Sequence, residues 1–269
     1  MDYQTFGQNL IDQFPKSRTI QGTLDGQVLW IKQAVPPKAR IWHKLQRLAA
    51  WATRQAIFNV TVSDGGAKSL YAEAERLHDF KRRGFHVPDV LAVHDNMIVM
   101  TDAGPQLRAQ LDREPSPEKR STLLHAAMDA MSSLHRAGLA HGRPYMRDMT
   151  WDGEKIGFLD LEEDPAKVMP VTTAQARDIW IFLGAASRYA RLKEDKKVFD
   201  EGLIAGLYNA YARGADPRTL KELRFFVDYI SPARRILDQP LWWDKIGSDA
   251  RQAVIINRCL EKQLNIASN

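Results

Sequence analysis

One cysteine, Cys259, stands in 269 residues. That excludes a disulfide framework, and with no Cys/His cluster at ligand spacing no structural zinc site is expected. No apolar run approaches the roughly 20 residues needed to cross a bilayer. The opening stretch MDYQTFGQNLIDQFPK is acidic and polar where a secretory leader would be basic and then apolar, so a cytoplasmic protein is expected. Hydrolase signatures are missing too: there is no Gly-x-Ser-x-Gly elbow and no His-Glu-x-x-His helix. Repeats and low-complexity segments are absent. So is a Gly-x-Gly-x-x-Gly loop, and around the first predicted hairpin only Gly22 and Gly26 stand near its place.

What is present is a chain 44% hydrophobic, long enough for two lobes with cores of their own. Its formal net charge of +5 admits an anionic partner without naming one, since nucleotide, nucleic acid and membrane surface all qualify.

The chain is organised around residues 134–162. A helical spacing of Leu123, Ala127, Met131 and Leu134 predicts a helix over 117–137, ended by Gly138 in a left-handed turn. It delivers the chain to His141 and a polar loop, 142–148. Asp152 and Gly153 then separate two short apolar runs, a strong hairpin signal. Asp148 enters that hairpin and Asp160 leaves it, so closure brings the two carboxylates within reach of one divalent ion. Magnesium suits such a pair, because it takes few protein oxygens and fills its shell with phosphates and water.

Upstream, residues 17–34 read as two strands around Leu24, Asp25 and Gly26, the second carrying Val28, Leu29, Trp30, Ile31 and Lys32. Residues 38–58 follow as an amphipathic helix with Lys38, Arg40, Lys44, Arg47 and Arg54 and no acid. Tryptophans among cations suit a membrane surface; packing on the upper lobe with a solvated basic face is the alternative. After a loop containing Gly65 and Gly66, a helix over 69–83 buries Leu70, Ala74, Leu77 and Phe80. A second hairpin spans 90–101 around Asp95 and Asn96, and residues 101–105 turn out of the sheet at Gly104 and Pro105. Beyond Glu162 come helices over 174–192, 200–213 and 216–229. The tail after them is basic and contains Trp242 and Trp243.

The ordered motifs resemble the protein-kinase-like phosphotransferases, and most closely their bacterial small-molecule branch. That branch includes lipopolysaccharide core and Kdo kinases, RIO-type kinases and aminoglycoside phosphotransferases. Leu134 and His135, then His141 and Gly142, then Asp148, then Phe158 to Glu162 follow the branch's His-Gly-Asp, Asn, Asp-Phe-Glu order. Gly84, Val87, Pro88, Val90 and Leu91 resemble its entry to the next strand. The resemblance covers roughly residues 17–190.

It implies an α+β fold of two lobes: a small β-rich lobe over 1–100 carrying the inserted basic helix, a hinge over 101–105, and a helical lobe over 106–269 that holds the catalytic loop and the metal-binding hairpin. It implies ATP and magnesium as cofactors. Lys32 would contact the nucleotide phosphates and pair with Glu73, four residues before Leu77, with Glu75 in reserve. Met100 would flank the adenine and Asp102 would lie in the hinge. Asp160 matches the metal-binding Asp, and Asp148 stands where the metal-binding Asn would be. His141 would fix the loop, and Asp178 would be the buried Asp that holds it through backbone hydrogen bonds. His125 and His135 read as core residues.

The departure lies at Arg143, where the family places its catalytic Asp. A guanidinium cannot accept a proton. Either the base is dispensable, since loose phosphoryl transfer depends mostly on positioning and charge, or Asp148 serves as base as well as ligand. Arg143 itself would meet the transferred phosphate or an anionic acceptor. No long activation loop and no Ala-Pro-Glu motif follow Glu162, which speaks against a phosphorylation-regulated protein kinase. The expected activity is transfer to a non-protein acceptor, a lipopolysaccharide core sugar or envelope glycolipid, with residues 38–58 reaching the inner membrane surface and no nucleic acid bound. A non-catalytic nucleotide-binding scaffold and an atypical serine kinase remain the alternatives. Oligomeric state is left open.

Overall fold

The computed structural model describes residues 2–34, 65–190, 200–243 and 245–265. The basic helix expected over 38–58 lies outside them. The fold is α+β, and the chain divides into two compact units, Met1–Gln106 with Asp148–Asp164, and Leu107–Arg147 with Pro165–Asn269.

In the first unit, β1 (Thr19–Leu24), β2 (Gln27–Gln33), β3 (Val90–Val93) and β4 (Met97–Thr101) form one antiparallel sheet in the order β1-β2-β4-β3. The β1–β2 connection has two residues, Asp25 at φ 50° and Gly26 at φ 79°, the left-handed pair a tight hairpin requires. One sheet face, with Leu29, Ile31, Met97 and Val99, is covered by helix α1 (Tyr3–Gln13) through Tyr3, Phe6, Leu10 and Ile11. The opening stretch, too polar for a leader, is thus a helix whose apolar residues follow helical spacing. Asp2 caps it by accepting from the backbone N–H groups of Gln4 and Thr5. The approach is close enough to demand glycine: a Cβ on Gly22 of β1 would lie 2.5 Å from Leu10 Cδ1 and 2.8 Å from Phe6 Cζ.

Helix α2 (Gly66–Arg82) starts three residues before Ser69, where the sequence placed its opening, and the Ser69 hydroxyl donates back to the Gly66 carbonyl at 2.9 Å. Its buried face carries Leu70, Glu73, Ala74, Leu77 and Phe80. The hairpin β5 (Met149–Trp151) and β6 (Ile156–Phe158) is shorter than its apolar run suggested. Its turn has four residues rather than two: Asp152 Oδ1 accepts from the N–H groups of Glu154 and Lys155, so the Asp closes the turn with its side chain. The sequence placed this hairpin in the helical lobe. It groups instead with the sheet, because Gly157 bridges His86 and Thr150 bridges Gln106.

The second unit is helical: α3 (Leu107–Arg113), α4 (Pro117–Arg136), α5 (Val171–Ala186), α6 (Glu201–Ala212), α7 (Pro217–Leu237) and α8 (Ser248–Gln263). Helix α4 ends as expected at Gly138, φ 76°, whose N–H reaches the His135 carbonyl while that of Leu139 reaches Leu134. Its core stripe runs through Leu124 rather than Leu123. Helix α7 continues well beyond Tyr229, with Pro232 inside it. The tail packs into this unit: α8 buries Val254, Ile255, Ile256, Cys259 and Leu260. Glu261 of α8 accepts from Ser231 and Arg234 of α7. Among the described residues no helix is long and apolar enough to cross a membrane.

Candidate functional site

The first unit concentrates its buried charge at one lysine. Lys32 is the penultimate residue of β2, on the sheet face opposite α1, and its side chain is only 7% exposed. Its ammonium donates to Glu73 Oε1 at 2.9 Å and Oε2 at 2.8 Å, and to Asp160 Oδ1 at 2.7 Å. Glu162 Oε1 lies 3.8 Å away and is also bonded by Arg18. Burial pulls the lysine's affinity for its proton down, and the three carboxylates more than offset this, so its pKa rises. Burial likewise raises Glu73, against the pull of Lys32. The helical turn of α2 decides which glutamate is used: Glu73 faces inward, and Glu75 is exposed.

The hairpin supplies the other carboxylates. Asp148 closes a single helical turn, Met146–Asp148, is buried, and accepts the Leu159 N–H on its carbonyl at 2.8 Å. Its backbone therefore lies across from the residue next to Asp160. Asp160 is left-handed at φ 55°, a conformation that a short polar side chain tolerates and that turns the chain sharply out of β6. Arg76 of α2 then ties down the following segment by donating to the Leu161 and Glu163 carbonyls. No group of three or more His, Cys, Asp or Glu among the described residues could hold a metal ion.

In the second unit, Asp178 of α5 is wholly buried. Its carboxylate accepts the N–H groups of His141 at 2.6 Å and Gly142 at 2.9 Å, and lies 3.4 Å from His135 Nε2. His135 Nδ1 meets the Tyr211 hydroxyl at 2.8 Å, and burial with the nearby Asp178 charge pushes that phenol's pKa up. The loop carrying His141 and Arg143 is thus held from beneath by one carboxylate, and Arg143 N–H closes on His141 Nδ1 at 3.4 Å. His135 is in the core, as its position suggested; His125 is half-buried.

The expected adenine flank, Met100, is 8% exposed and pairs with Trp30 across the sheet. Asp102 is committed elsewhere: Oδ1 accepts Trp30 Nε1 at 2.7 Å and Oδ2 accepts the Gly104 N–H at 3.3 Å. Gly22 and Gly26, the stand-ins for a phosphate loop, serve helix packing and a tight turn. Sequence reading missed Arg18, Glu162 as a charge partner, Arg76, and Gln175, whose amide donates to the His135 and Leu139 carbonyls at 2.9 Å each. The residue order Asp160, Leu161, Glu162 did hold a signal, since alternate positions after a strand can face one way.

No family model matches the chain. An uncharacterized protein of Haemophilus influenzae is 26% identical over 163 residues, which make up 60% of this chain and 60% of that protein. The chain thus spans about 60% of the length of the curated relative it matches.

Proposed function

We propose that this chain is a phosphotransferase with a two-lobed protein-kinase-like fold, moving the terminal phosphoryl group of ATP to a hydroxyl of a non-protein acceptor, a lipopolysaccharide core sugar or another envelope glycolipid. The carrying observation is Lys32: a buried strand lysine gripped at once by a helix glutamate and by the aspartate that leaves the hairpin. In kinase-like enzymes a lysine so placed orients the nucleotide phosphates. The sheet order, the Glu-bearing α2 and the Asp178-held loop support the same reading.

In this mechanism Lys32, aligned by Glu73, holds the phosphates, and Asp148 and Asp160 are the residues that would hold magnesium. Magnesium, when bound, neutralises charge on the phosphate oxygens. The acceptor oxygen forms a bond to the terminal phosphorus as the bond from that phosphorus to ADP breaks. Arg143 cannot take the acceptor's proton, so Asp148 is assigned that proton, and Arg143 is assigned the developing negative charge or an anionic acceptor on the resemblance alone. The acceptor itself rests on the resemblance and on the basic segment 38–58.

Incubation with ATP labelled in its terminal phosphate, magnesium and envelope extract should place label on acid-released core sugars, and Asp160→Asn should abolish it. Nucleotide binding with no label on glycolipid, simple alcohol or protein would instead favour a non-catalytic nucleotide-binding regulator. Arg143 at the base position, together with the Asp160 carboxylate in an ion pair with Lys32, is what supports that second reading.

A further inference from the structure

The charge around Lys32 includes two groups that the proposed reaction does not use, Arg18 and Glu162. Arg18 and Lys32 converge on one atom, Glu162 Oε1: the guanidinium bonds it and the ammonium lies 3.8 Å away. We propose that Arg18 and Lys32 form a cradle for a phosphate oxygen of the nucleotide, and that the Glu162 carboxylate fills it until nucleotide displaces it. This deepens the phosphotransferase reading and rests on it.

Sheet register builds the cradle. Thr19 pairs with Lys32 across β1 and β2, and Arg18, one residue earlier, accepts the Gln33 N–H on its carbonyl at 2.8 Å. The two cations are therefore carried at one end of the same strand pair. Exposure differs across the cradle: Arg18 is 44% exposed, while the Glu162 and Lys32 side chains are 10% and 7% exposed. The guanidinium side of the cradle is open to water, so it can be reached by an incoming anion and its pairing with Glu162 is partly screened. A guanidinium fork also suits phosphate, binding two oxygens at once. The need for such a group follows from the hairpin, since the two-residue β1–β2 turn and the packed Gly22 leave no glycine loop there to wrap phosphates.

The test is calorimetric titration of the full chain with ATP, ADP and AMP, magnesium present, at fixed ionic strength. Glu162→Gln, which keeps the shape and removes the competing charge, should bind ATP about tenfold tighter. Arg18→Met should weaken ATP by about tenfold, the scale of one lost charge-assisted contact, and change AMP by less than twofold. Should Arg18→Met melt before it can be titrated, Arg18→Lys keeps the charge without the fork and should show a smaller loss of the same selectivity. Unchanged or weaker ATP binding by folded Glu162→Gln overturns the proposal, as does equal loss of ATP and AMP in the Arg18 variant. Failure of the underlying reading looks different: the unaltered protein would then give no heat with ATP and magnesium, and the cradle falls with it.

Discussion

Lys32 is the residue on which the first unit's electrostatics turn. Replacing it with Met would remove the ammonium that bonds both buried Glu73 and Asp160. Removing one partner of a buried pair costs about 3 kcal/mol. Lys32→Met should therefore lower stability in urea by about that amount, even without ligand. An unchanged midpoint would mean that the carboxylates protonate without penalty. Burial at Cys259 acts on a different group, pushing the thiol's pKa up to about 11. Its thiolate is then scarce at pH 8, and a disulfide reagent should label it only as fast as the chain unfolds. The lysine and its glutamate were named through the resemblance, which matches a strand Lys and a helix Glu four residues before Leu77 one to one. Arg18 was not, since its partner lies 144 positions away and only register brings the two together.

At the scale of elements, glycine placement sets how closely α1 lies on the sheet. Gly22→Val would drive a branched side chain into Leu10 and Phe6. Overpacking of this kind costs about 2 kcal/mol, so the variant should unfold at lower urea, while Thr23→Val, on the opposite face of the strand, should not. Helices α4, α6 and α7 were readable because their apolar residues follow capping side chains, Ser116 before Pro117, Asp200, and Asp216 before Pro217. The hairpin turn was half readable. Asp152 and Gly153 announced it, but whether the Asp sits inside a two-residue turn or caps a four-residue one depends on strand pairing, and Gly157 fixes that by admitting Thr150 and His86 to close approach.

For the whole molecule, the division into units separates the Lys32 cluster, with both hairpin aspartates, from the loop of His141 and Arg143 held by Asp178. With three carboxylates against two cations, the cluster should disfavour a nucleotide that arrives without a divalent ion. ATP with magnesium at ~100 times its dissociation constant should add about 2.7 kcal/mol to stability. ATP with a chelator should add much less in the same thermal scan. Equal shifts would remove the need for Asp148 and Asp160 as ligands.

By itself the sequence determined the local pieces: periodicity, caps and turn residues act within a few positions, so strands and helices could be read from it, while Lys32, Glu73 and Asp160 became candidates through the resemblance of the ordered motifs. Tertiary structure alone decided that Asp102 belongs to Trp30, that Gly22 belongs to Leu10, and that Arg18 shares Glu162 with Lys32. Each of those pairings joins residues far apart in the chain. Side-chain charge and size say what such a residue can meet; sheet register and helix packing choose which partner it does meet.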